Sequence, residues 1–373
     1  MSKLDKLKTL IPLDQLEWSA QEQIYDNLAH DFLKVLAIMP DCHMGYLLPI
    51  GGAALLDGVV SPEYVGYDIG CGMCCVITDI DAKDLSINDR LKLFSSIYDT
   101  IPTGVGCERP ISLDWHTFKS ACGDKNLDKE VHKKVYSQLG TLGSGNHFIE
   151  IGKSWEGKIA VVIHSGSRKT GHTIAGYYMK LTKTESRDLP KGFLRADSDL
   201  GKAYVEDMNF CLQYALQNRL IMMKDVLRLL GINLKQIDSL LTFMINENHN
   251  HMVVRHDGYL HRKGATPAEK DVLGVIPGTM KSGTIITRGL GNEEYLSSAS
   301  HGAGRKMSRT KAKQCITLEQ HKKWMKGVIA KVDKSTLDEA HGAYKDLKKV
   351  VDMQEGIVID IVDKIHPIIN VKG

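Results

Sequence analysis

Glycine placement constrains this chain more than any other feature. The 34 glycines among 373 residues gather in short polar loops at 45–52, 66–72, 140–145, 278–291 and 302–304. Each loop adjoins an apolar, β-branched run. Segments 53–60, 73–80, 159–163 and 284–286 therefore read as strands. Loops on strand ends commonly carry ligand-binding groups held by a rigid sheet.

The middle of the chain follows a different period. Tyr204, Met208, Cys211, Ala215, Met222, Val226 and Leu230 recur at helical spacing. Asp197 or Asp199 is the expected cap and Gly231 the expected stop. A second helix follows, with Ile237, Leu240, Leu241, Met244 and Ile245 as its buried stripe. The pair Asp257-Gly258, between alternating runs at 253–256 and 259–262, predicts a hairpin. The tail predicts a helix over 338–351 and a strand over 356–361. Strands and helices come in blocks rather than in strict alternation. The expected class is α+β, a mixed β-sheet core with surrounding helices, forming one domain over residues 1–373.

Hydrophobic residues at 43% and charged residues at 25% allow a large core. A net charge of +3 neither points to nucleic acid nor excludes it, because a local basic groove can bind RNA on a near-neutral protein. No window approaches the roughly 20 apolar residues of a membrane span, and the N-terminal segment alternates lysines with apolar residues. The expectation is a cytoplasmic protein, away from membranes, with its eight cysteines reduced.

Five segments carry metal-ligand chemistry. They are Tyr67-Asp68-Ile69-Gly70-Cys71-Gly72, Gly145-Asn146-His147-Phe148-Ile149-Glu150, His164-Ser165-Gly166-Ser167-Arg168, Asn248-His249-Asn250-His251 and Ser300-His301-Gly302-Ala303-Gly304-Arg305. Taken singly each has a plainer reading: an Asp-turn with a buried cysteine, a structural strand-end histidine, a polar helix exit. Together they offer imidazoles, a carboxylate and a thiolate beside glycine, a set that suits a divalent transition ion better than calcium or magnesium. The CxxC at Cys71 and Cys74 raises zinc, but no partner CxxC exists elsewhere.

The loops Pro277-Gly278-Thr279-Met280, Gly283-Thr284 and Arg288-Gly289-Leu290-Gly291 match neither the Walker nor the Rossmann pattern. Small residues there still let backbone N–H groups approach phosphate, although ordinary turn chemistry explains them equally well. His301 stands apart, in a glycine-rich loop followed by Arg305, Lys306 and Arg309. An imidazole with an ordinary pKa near ~6.5 is largely neutral at pH 7 and can attack phosphorus. The alternatives are a metal ligand or a donor to substrate phosphate.

In this order the segments resemble the RtcB family of RNA-splicing ligases. The resemblance runs over residues 40–373 and also includes Pro40-Asp41-Cys42-His43-Met44-Gly45, His261-Arg262-Lys263-Gly264-Ala265-Thr266 and the terminal Asn370-Val371-Lys372-Gly373. It implies an RtcB-like fold and a GTP-dependent ligase with two manganese ions held by Asp68, Cys71, His147, His164 and His249, with Cys71 bridging. His301 matches the guanylylated histidine. Asn146, Glu150, Asn250, Pro277, Gly278, Thr279, Met280, Thr284, Gly302, Ala303, Gly304 and Lys372 match nucleotide contacts, and Asp41 matches an aspartate beside the active site. Arg168, Arg262, Lys263 and Arg305 are the expected RNA contacts. The implied substrate is RNA with 3′-phosphate or 2′,3′-cyclic phosphate and 5′-hydroxyl ends, with an archease-like activator as a further partner. The extra His251, the inserted-looking Lys281-Ser282 and the Cys42 and Met44 flanks of His43 depart from the pattern, as does a shorter central helical region. These departures imply a divergent RNA-repair subgroup. Two other classes remain: a metal-dependent phosphoesterase that needs neither His301 nor Lys372, and a non-catalytic RNA-binding protein.

Overall fold

The computed structural model describes residues 3–185 and 188–373. Its centre is an eight-stranded sheet. Seven strands run in the order Leu273–Pro277, Thr284–Gly289, Ile359–Lys372, Phe148–Lys153, Lys158–Ser165, Gly72–Asp81 and Ile245–Asn248. Every pairing along that path is antiparallel, while the short strand Ile329–Ala330 lies parallel beside Ile359–Lys372. A second, five-stranded sheet is built from Leu7–Thr9, Leu33–His43, Ile50–Leu56, Gly258–Lys263 and Asn250–Arg255. The class is α+β, as the blockwise order of elements predicts.

The run at 53–60 is two strands, Ile50–Leu56 and Val59–Val60, because Asp57-Gly58 turns the chain, with Gly58 at φ 64°. The long helix is Asp199–Leu229. Its cap is Ser198, between the two expected aspartates, whose side chain accepts from the Gly201 N–H. Gly231, at φ 80°, follows its end. The helix lies across Lys158–Ser165 and carries its apolar stripe into two core clusters. The second helix, Leu234–Leu241, stops before Met244, and Ile245 instead opens a strand opposite Cys75. The hairpin turn sits one residue earlier than expected, on His256 and Asp257, since Arg255 pairs with Gly258.

The tail departs furthest from the sequence reading. No single helix spans 338–351. Two 3-10 turns, Lys334–Glu339 and His341–Ala343, precede a short helix, Leu347–Asp352. Arg305 pins the break by binding the Asp338 carbonyl and the Tyr344 hydroxyl. The last strand is far longer than 356–361. It runs Ile359–Lys372, and Pro367 is accommodated where the register shifts against Phe148–Lys153. Among the described residues, no helix is long and apolar enough to cross a membrane.

Candidate metal and nucleotide site

Four neighbouring strands bring the candidate ligands to one place. Phe148–Lys153, Lys158–Ser165, Gly72–Asp81 and Ile245–Asn248 are consecutive and antiparallel. The starts of the first and third therefore share an edge with the ends of the second and fourth. His147 and Cys71 immediately precede strands, His249 immediately follows one, and His164 is next to last in another. Cys71 Sγ lies 3.2 Å from His164 Nε2 and 3.5 Å from His147 Nε2. His147 Nε2 is 3.2 Å from Asp68 Oδ2, and His164 Nε2 is 3.4 Å from His249 Nε2.

These atoms form two groups, Asp68–Cys71–His147 and Cys71–His164–His249, with all donors in a group within 4.8 Å of one another. Cys71 belongs to both. The donor chemistry fits two divalent transition ions sharing one thiolate. Burial, reinforced by neighbouring imidazoles, holds His164 and His249 well below the usual range, so their lone pairs are free. His147 Nδ1 lies 2.9 Å from the Leu142 carbonyl and His164 Nδ1 lies 3.2 Å from that of Asn146. A carbonyl only accepts, so each Nδ1 donates and each Nε2 turns inward with a lone pair that could bind a metal. Burial tends to raise Asp68, but the neighbouring His147 side chain holds it well below the carboxylate range. Burial pushes the Cys71 thiol up, and a coordinated cation is what would deprotonate it. Gly166 is needed here, since a Cβ would stand 2.4 Å from Asp68 Oδ1.

Cys74 and Cys75 do not join this set. They lie within the strand and pack into core clusters, so the CxxC spacing builds no zinc site. His251 is also apart, buried with Nε2 3.4 Å from Arg262.

His301 follows the short strand Ser298–Ser300, and its ring centroid is 4.8 Å from that of His249. Nδ1 lies 2.7 Å from Asp41 Oδ2, which also accepts the His301 backbone N–H at 3.2 Å. Burial tends to raise Asp41, yet the His301 hydrogen bond keeps it below its usual range. A carboxylate accepting from Nδ1–H leaves the Nε2 lone pair free. Gly264 makes room for the ring, as a Cβ there would be 3.0 Å from His301 Nδ1.

Beside His301 opens a cavity of about 320 Å³, lined in part by Asn146, Glu150, residues 277–280, residues 302–304 and Lys372. The Ala303 N–H donates to the Pro277 carbonyl and joins the two glycine-rich loops. At the far wall, burial pushes the Glu150 carboxyl up to about 8, against the Thr284 hydroxyl that donates to it at 3.0 Å. Lys372 Nζ donates to Glu339 Oε2 at 2.8 Å.

Glu339 is the residue that sequence reasoning missed. It is buried and gathers Lys372, Arg305, Arg309 and the Tyr344 hydroxyl. Burial alone would raise it, but Lys372 and Arg309 hold it at about 2. The available signal was the acidic pair Asp338-Glu339 in a chain whose Arg305 and Arg309 needed partners.

A model of the family described as tRNA-splicing ligase RtcB matches residues 25–373. The chain belongs to the RtcB family. It is 34% identical to RNA-splicing ligase RtcB1 of Escherichia coli, over 96% of this chain and 95% of that one. It is 28% identical to tRNA-splicing ligase RtcB of Aeropyrum pernix, over 91% of this chain and 88% of the relative.

In this RtcB chain four expected contacts are placed differently. Arg262, expected to contact RNA, is instead buried and donates to Ser298, Glu269 and the carbonyls of Leu296 and Ser297, where it braces the sheet. Lys263 is buried beneath the Asp68 loop and donates to the Val65 carbonyl. Asn250 does not line the cavity, because its amide holds the Asp68 carbonyl and the Gly264 N–H. Thr284 stands behind Glu150 rather than in the cavity. Arg305 lines the cavity but is tied to Glu339, Tyr344 and the Asp338 carbonyl. Arg168 opens onto a second cleft, lined also by Asp68 and His147.

Proposed function

We propose that this chain is a GTP- and manganese-dependent RNA ligase. It joins 3′-phosphate or 2′,3′-cyclic phosphate ends to 5′-hydroxyl ends through guanylylated His301, as one catalytic domain acting in RNA repair or splicing. The observation that carries the reading is the Asp41–His301 pair set against the shared-thiolate ligand groups, with the cavity beside it. Two manganese ions, held by Asp68, Cys71, His147, His164 and His249, would supply Lewis acidity at phosphate oxygens.

The remaining chemistry belongs to the chain. Asp41 holds the Nδ1 proton and directs the Nε2 lone pair toward the cavity. His301 Nε2 attacks the α-phosphorus of GTP; a P–N bond forms and the bond to pyrophosphate breaks. Glu150 lies deep in the cavity, where its carboxyl meets the hydrogen-bonding edge of guanine, and Lys372 lies beside it. Once any cyclic phosphate has been hydrolysed, an RNA 3′-phosphate oxygen displaces His301 from phosphorus. The RNA 5′-hydroxyl then attacks the activated 3′-phosphate and GMP leaves. Arg168 faces that chemistry as a phosphate partner. The reading places the protein in the cytoplasm, working on broken RNA, with an archease-like activator as its protein partner.

The test is incubation with α-labelled GTP and manganese, followed by denaturation and peptide mapping. Acid-labile label on the His301 peptide, absent from His301→Ala, is the expected result. Folded, metal-loaded protein that takes no label would overturn the ligase reading in favour of a phosphoesterase.

A further inference from the structure

Members of the two ligand groups line different cavities. His164 and His301 line the nucleotide cavity, whereas Asp68 and His147 line a separate cleft of about 640 Å³. Asn146 is on the wall of both. A molecule in this second cleft therefore meets Asp68 and His147 without occupying the cavity beside His301.

The cleft has two features of a single-stranded nucleic-acid surface. The first is a ring platform. Tyr67 and His172 both line it and stack with centroids 4.8 Å apart and planes at 26°. The exposed Tyr46 meets Tyr67 edge-on at 5.6 Å. The second is unneutralised positive charge. In the nucleotide cavity Arg305, Arg309 and Lys372 all pair with Glu339. In the cleft, Arg168 and Lys169 have no carboxylate partner among the described residues, while Lys133 and Lys134 pair with Glu130 and Glu108. Arg168 is held in place: its φ is 58°, and its guanidinium fills the space where a Gly143 side chain would be.

We propose that this cleft binds the terminal nucleotides of one of the two RNA strands, with an unpaired end base stacked on the Tyr67–His172 platform and its phosphates on Arg168 and Lys169. The proposal rests on the ligase reading and adds to it where the RNA end enters and that the end must be unpaired. A base held in a duplex has both faces covered and cannot use the platform.

The test uses metal-loaded protein without GTP and short oligoribonucleotides carrying 4-thiouridine at the 5′-hydroxyl end or at the 3′-phosphate end. Irradiation of one of the two is expected to cross-link the peptide containing Tyr67 or that containing His172. His172→Ala is expected to weaken binding of that oligonucleotide roughly tenfold or more. Lys169→Glu, on an exposed side chain, is expected to lower the slope of log affinity against log salt by about one. Cross-links from both probes confined to other surfaces, or no RNA binding at all, would overturn the proposal, as would an occupant that proves to be a protein. Failure of the ligase reading is seen separately, as absence of label on His301.

Discussion

Glu150 shows how far surroundings can move a side chain. Its carboxyl is raised from 4.5 to about 8 by burial. Between those values the folded protein holds a proton that the unfolded chain has released, so folding stability falls as pH rises through that window. Glu150→Gln is expected to flatten the decline in melting temperature of the nucleotide-free protein between pH 4.5 and 8; an unchanged slope would place the titration elsewhere. Asp41 works through its neighbour. Asp41→Asn replaces a carboxylate that can only accept with an amide that can also donate to Nδ1, so the His301 tautomer is no longer fixed, and it is expected to slow labelling by GTP about a hundredfold to ten-thousandfold. The loss should sit in the rate at saturating GTP rather than in GTP affinity. Glu339→Gln should do the reverse, weakening GTP binding, because it releases Lys372 and both arginines from one carboxylate. His301 and the five ligand candidates were legible in the sequence through the ordered set of segments and the resemblance it carries, since each segment taken singly has a plainer reading. Glu339 was not, because a lone carboxylate in a polar tail has no local mark of burial.

The long helix Asp199–Leu229 does more than cover the sheet. Arg219 is fully buried and donates to the carbonyls of Gly70 and Ser165 and to the side chains of Asn246 and Asn248. These are the flanks of Cys71, His164 and His249, so one guanidinium ties three ligand-bearing segments together. Asn218 does the same for the loop before His147, accepting from the Gly140 and Thr141 N–H groups and donating to Ser165. Arg219→Met is expected to destabilise the protein by about 3 kcal/mol or more and to weaken metal binding, because several charge-assisted bonds vanish and buried acceptors lose their donor. Full stability by denaturant titration would show that the helix merely packs. The periodicity disclosed the helix but not this role. Positions 218 and 219 fall on the same stripe as Ala215 and Met222, and polar residues on an apolar stripe were the signal. The tail helix failed for a related reason: its local pattern is helical, but long-range bonds from Arg305 break it.

Across the whole molecule, ligands drawn from residues 68 to 249 converge only when the sheet is assembled. A metal that binds this folded arrangement and not the open chain stabilises it by mass action, by about 2.7 kcal/mol at a hundred times its dissociation constant. Manganese is therefore expected to raise the melting temperature and chelation to reverse it. Cys71→Ala, which removes the donor common to both groups, should abolish most of that dependence. A variant that responds like the parent would remove Cys71 from the site. The sequence alone determined the candidate donor types, the strand ends that carry them, the glycine-rich setting of His301 and the α+β class, because each depends on neighbours along the chain. Only the tertiary structure decided which cations face solvent. It buried Arg262 and Lys263, left Arg168 and Lys169 on a cleft wall, paired Asp41 with His301 and put His164 on one cavity and Asp68 and His147 on another. Burial and partner choice come from contacts between separate segments, 260 residues apart for Asp41 and His301 and 198 for Lys263 and Val65, and no local pattern encodes them.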